Sequence, residues 1–101
     1  MLFPSDGPPV RSIRYDVEAF SEPGLLSRLI APLARRGLDP GTVQVQRRGE
    51  RVHATFGFDE MPAEMIHLVE GNLRQVVGVV RVTVLVGAAR RQGAAPSARA
   101  A

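Results

Sequence analysis

FSEPGLLSRLIAPLARRGL, residues Phe20–Leu38, reads as the end of a strand, a tight turn and a helix. Pro23 suits a first helical position, because its missing N–H would have no intrahelical partner there. Arg35 and Arg36 fall in the last turn, where cations favour the carbonyl end of the helix dipole, and Gly37 can take the left-handed cap. Between these ends Leu26, Leu29, Ile30 and Leu33 recur at helical spacing and predict the buried face. Pro32 interrupts it at a cost of about 3 kcal/mol, so a kink or an early end is expected. The turn Ser21-Glu22-Pro23-Gly24 leaves the amides of Gly24, Leu25 and Leu26 outside the helical ladder. Gly24 carries no Cβ, so a small anion such as a carboxylate can approach those donors closely.

Before this stretch, Ile13, Tyr15, Val17 and Ala19 alternate with Arg14, Asp16 and Glu18, which predicts a half-buried strand over Ser12–Phe20. After it, Asp39-Pro40-Gly41 turns the chain, and Val43 and Val45 alternate with Gln44 and Gln46 in a second strand. Arg47-Arg48-Gly49-Glu50 is a hairpin connection. The third strand, Arg51 to about Phe58, turns Val52, Ala54, Phe56 and Phe58 inward and His53 and Thr55 outward, and is expected to end at Asp59. Pro62 is expected to open a second helix, with Asp59 and Glu60 near its positive end. Met65, Ile66, Val69 and Leu73 form its apolar stripe, Glu64, His67 and Glu70 its wet side, and Gly71 reads as a point of close packing. Val79–Val86 is the fourth strand, with Val80, Val82, Val84 and Val86 on one face.

The element order β-α-β-β-α-β predicts a ferredoxin-like α+β fold. Two right-handed crossovers place four antiparallel strands in the order 4-1-3-2, with both helices on one face. Residues 1–11, rich in proline, read as a flexible lead; 12–86 form the domain; 87–101 collapse to Ala, Gly, Arg, Pro and Ser and read as a disordered tail.

At 101 residues, 45% of them hydrophobic, the chain supports one domain with a small core that a second copy would reinforce. Cysteine is absent, which excludes disulfides, thiolate metal sites and cysteine nucleophiles. MLFPSDGPPV lacks the layout of a signal peptide, and the apolar run near Val76–Val86 is too short for a bilayer, which takes ~20 residues. A cytoplasmic protein without a membrane partner is expected. The net charge of +3 is spread toward the ends, at Arg11, Arg90, Arg91 and Arg99, and reads as solubility rather than a nucleic-acid footprint.

The Ser21–Leu26 turn suits an amino acid: the amides of Gly24, Leu25 and Leu26 would hold its carboxylate, and Ser21 or Glu22 would accept from its ammonium group. The same residues also describe a plain helix start in which Glu22 answers the dipole. His53 and His67 lie on different elements without metal-ligand spacing, so no metal or other cofactor is expected. Asp16 and Glu18 share the open sheet face and are expected to pair with Arg14, Arg81 or another basic group. No nucleophile–base arrangement is visible, so an enzyme is not expected. An RNA-binding module of this topology would stack bases on aromatics of the open face, whereas Phe56 and Phe58 point inward. Such an RNA-binding module, or a purely structural assembly module without a small ligand, is the alternative reading. Val43, Gln44, Val45 and Gln46 form an edge strand without blocking lysines, which predicts a homodimer or hetero-oligomer formed through that edge or the valine-rich fourth strand.

Pro23-Gly24-Leu25-Leu26-Ser27-Arg28, closing with Ala34-Arg35-Arg36-Gly37-Leu38, resembles the helix start and end of ACT domains, in particular regulatory small subunits of acetolactate synthase in their short, single-domain form. Leu73-Arg74-Gln75-Val76-Val77-Gly78-Val79-Val80-Arg81-Val82 is similar to the second-helix-to-last-strand passage of ACT domains. The resemblance covers about Ser12–Val86. It implies a non-catalytic protein that dimerises edge to edge, with strand two the favoured edge. It also implies an amino-acid ligand, typically a branched-chain end product, held between the first turn and a neighbouring chain, and a catalytic acetolactate synthase subunit as partner. Ser21 stands where the family usually has Asn or Asp.

Overall fold

The computed structural model describes residues 10–87, so the remainder of the expected lead and tail lies outside the described residues. The elements are β1 (Val10–Phe20), α1 (Leu25–Arg35), β2 (Thr42–Arg48), β3 (Arg51–Pro62), α2 (Ile66–Arg74) and β4 (Val79–Gly87), with a 3-10 turn at Ala63–Met65 before α2. One antiparallel sheet has the order β2-β3-β1-β4, which is the expected 4-1-3-2 read from the other edge. The fold is ferredoxin-like α+β.

β1 is central because every second residue from Ile13 to Ala19 is apolar and both flanks pair. Tyr15 sits between Phe56 and Val84, and Val17 between Ala54 and Val82. Its inward residues join Leu25, Leu29 and Leu33 of α1 and Val69 and Leu73 of α2 in one buried cluster, which sets both helices on the same face. The fully buried Tyr15 donates its hydroxyl to the Ile66 carbonyl at 2.8 Å and meets the edge of Phe58, ring centroids 6.0 Å apart. Burial, then the Glu70 carboxylate, pushes the phenol up to about 12.

Several local expectations change. Pro23 lies outside α1, which starts at Leu25 with Gly24 as its left-handed cap (φ 77°). The later start turns Leu25 inward and leaves Leu26 43% exposed. Pro32 does not end the helix: it packs on the buried face, and the helix runs on to Arg35. Burial of Leu25, Leu29 and Leu33, each worth about 1.5–3 kcal/mol, outweighs the proline's cost. Gly37 (φ 71°) takes the expected cap, its amide and that of Leu38 bonding back to Ala34 and Leu33.

β3 continues past Asp59 because β1 begins at Val10 and supplies ladder partners out to Pro62. Pro62 therefore closes a strand instead of opening α2, and Asp59 and Glu60 are strand residues. The unassigned Met61 is fully buried. In β4 a bulge opposite Glu18 and Ala19 skips Val80, so Val79, Val82 and Val84 face the core and Val80 is exposed; Val86 keeps their phase, opposite Ile13, but is 60% exposed. Gly71 is no contact point: a Cβ there would meet nothing within 4 Å.

Candidate functional site

The β1–α1 turn is pinned at both sides by backbone. The Phe20 amide donates to the Gly78 carbonyl (2.9 Å) and the Ser21 amide to the Glu50 carbonyl (2.8 Å), tying the turn to the α2–β4 loop and to the β2–β3 hairpin. Glu22, Pro23 and Gly24 are exposed and Ser21 is partly so. Of the donors expected to be open, Leu25 is committed: its amide bonds the Glu22 carbonyl at 3.2 Å and its side chain is buried in the core. Among the described residues, nothing accepts from the amides of Gly24 and Leu26. The left-handed backbone at Gly24 is what aims this helix start outward, and it favours glycine.

Arg28 was not singled out by sequence reasoning, and the structure places it over the turn. Its guanidinium donates to Glu22 Oε1 (2.7 Å) and to the Pro23 carbonyl (3.2 Å), and reaches the Val77 carbonyl at 3.5 Å. Its Nε is shielded from solvent without a partner. A Cβ at Gly78 (φ 97°) would stand 3.4 Å from the Glu22 carboxylate, so the α2–β4 loop passes against the same ion pair. The turn thus presents a cation, a carboxylate and two unpaired amides within one patch. The PGLLSR spacing holds the signal: Glu22 and Arg28 are six apart, bracketing the first helical turn. A zwitterion is the chemistry this patch complements, with the carboxylate toward Arg28 and the amides and the ammonium group toward Glu22.

The residues expected at a dimer edge lie on β2, every residue of which is exposed. Gln44 and Gln46 pair with Thr55 and His53 on the open face, while Val43 and Val45 pair with Phe56 and Ala54 on the helix side. Val43 and Val45 are 44% and 45% exposed, because the helices do not reach over this edge. Against the families whose models are known and against curated proteins the result is plain. Nothing matches the chain.

Elsewhere the open face carries the expected ion pairs. Asp16 bonds Arg14 (3.3 Å) and the Thr55 hydroxyl (3.1 Å), and Glu18 bonds Arg51 at 2.6 Å rather than Arg81. His53 is exposed on β3 and His67 is exposed on α2, and no cluster of metal-ligating side chains occurs among the described residues. No helix is long and apolar enough to cross a membrane.

Proposed function

We propose that the chain is a non-catalytic, amino-acid-sensing regulatory protein of the cytoplasm. In this reading a branched-chain amino acid binds at the Ser21–Leu26 turn, where a second copy joins along β2. The observation that carries it is the outward helix start at Gly24, with two unpaired amides beside the Glu22–Arg28 pair. The resemblance of Pro23–Arg28 to the ACT-domain turn and the ferredoxin-like fold support the same reading, and the uncovered Val43 and Val45 supply an apolar edge for the second copy. The partner it implies is an enzyme, with the catalytic subunit of acetolactate synthase the first candidate. Ligand acts on that partner only through its difference in affinity between two dimer geometries. Calorimetry with valine, leucine and isoleucine tests this. Wild type gives heat with at least one of them and Gly24→Val gives none; equal responses, or no heat from either, refute the ligand.

A further inference from the structure

We propose that the open face of the sheet, at its hairpin end, is a platform for single-stranded nucleic acid. This goes beyond the amino-acid reading and uses other residues. The expectation of no nucleic-acid partner rested on the spread of the arginines toward the chain ends and on Phe56 and Phe58, which are buried. The ring that lies on the open face is Phe20, the last residue of β1, which is 45% exposed. The register sets Arg48, Arg51 and Phe20 in one row across β2, β3 and β1, and Gln46, His53, Glu18 and Arg81 in the next.

Arg51 is the centre of the platform. Its guanidinium carbon lies 4.7 Å from the Phe20 ring centroid, and Nη1 donates to Glu18 Oε2 at 2.6 Å. The guanidinium is held by the ring and by the carboxylate, yet the side chain stays 44% exposed. A guanidinium held over an aromatic ring and still open to solvent can stack with a base. Around it Arg48 and Arg81 are exposed and form no ion pair among the described residues, so three arginines surround the one carboxylate of Glu18. Arg48 stands directly opposite Arg51, a like-charge pair that an anion between them would relieve. A depression of about 280 Å³, lined by Glu18, Gln46, Arg48, Arg51, Val52 and His53, lies beside them. From β2 to β4 the cations span three strand spacings of about 4.8 Å, beyond the reach of one phosphate. A chain of phosphates matches that span, and the supported guanidinium plane selects bases over an acidic peptide.

The test is fluorescence anisotropy with a labelled oligouridine at low salt, using the full chain. Binding is expected, with log affinity falling against log salt at a slope of about −1.4 to −2.1, as for two or three phosphate contacts. Phe20→Leu removes the ring but keeps apolar bulk at an exposed site, and Arg51→Lys keeps the charge but loses the plane. Each is expected to weaken binding about 5-fold or more. Arg48→Ala removes one phosphate contact and is expected to reduce the salt slope by about 0.7. Circular dichroism confirms that each variant is folded. No binding overturns the proposal. Phe20→Leu binding like wild type, or polyglutamate displacing the oligomer at equal charge, also overturns it, in favour of an acidic-peptide dock.

Discussion

The same substitution, glycine to alanine, is expected to act in opposite directions at Gly24 and Gly71. Gly24 has φ 77°, and the nearest atom to an added Cβ would be Arg28 Nη1 at 3.7 Å, an ordinary contact. Crowding therefore contributes nothing, and the left-handed backbone alone sets the cost at about 1–2 kcal/mol for an L-residue. Alanine recovers about 0.4–1 kcal/mol of that by restricting the unfolded chain, which leaves a net loss near 1 kcal/mol. Gly71 sits inside α2, is not among the positive-φ glycines, and has open space around its Cβ position. Alanine there removes a helix-interior glycine and gains about 0.5–1 kcal/mol. The two variants should stand about 1.5–2 kcal/mol apart, roughly 6–16 °C in Tm for a domain of this size. Urea and thermal unfolding, with unchanged m-values, measure it. Stabilisation by alanine at position 24 would refute the left-handed helix start, and destabilisation by alanine at position 71 would refute the open surroundings of Gly71.

Tyr15→Phe loses the hydroxyl bond to Ile66, a cost of about 1 kcal/mol by urea unfolding at neutral pH. In the wild type the phenol is raised from 10.0 to about 12 in the folded state, so its contribution is complete below pH 10. That contribution is lost as pH climbs toward 12, a loss the Phe variant should not show. Glu70 is held below the ordinary glutamate range, chiefly by hydrogen bonds from Arg74, with His67 adding to the effect. Glu70→Gln should cost about 0.3–0.5 kcal/mol at neutral pH, a difference that vanishes as acid protonates the folded wild type below the usual glutamate pKa. Val45→Lys places a charge on the uncovered edge, and should lower the sedimentation mass of a dimer formed through β2 while leaving the circular dichroism unchanged.

The fold was legible in the sequence because its determinants are local and periodic. The inward residues alternate from Ile13 to Ala19 and from Val52 to Phe58, the hairpin carries Gly49, and each helix has a stripe; those patterns fix strand faces and order together. What was not legible depends on neighbours. The bulge that ejects Val80 exists only where β4 meets β1, and the length of β3 follows from the partners that β1 offers. The start of α1 hinged on one dihedral at Gly24, and a single-residue change there exchanges Leu25 for Leu26 on the buried face. Proline rules placed Pro23 and Pro62 at first helical positions; both stand just ahead of a helical segment, where a fixed φ is equally welcome.

The candidate site divides along the same line. Ser21, Glu22 and Gly24 could be named from turn chemistry, but Arg28 and Phe20 could not, since one belongs to a helix turn and the other ends a strand. Their roles come from what they reach: Glu22 in one case, Arg51 in the other. Val43 and Val45 pose the reverse problem. Their alternation with glutamines has the form of a strand that is apolar on one side, yet both valines are open on the side where the core lies. Alternation records which side of a strand is apolar; it does not record what lies over it. Where a local pattern asks for burial that the single chain does not supply, function is the expected reason. For β2 the proposed reason is a second copy along its edge, close to the turn whose Ser21 amide is tied to the hairpin through the Glu50 carbonyl.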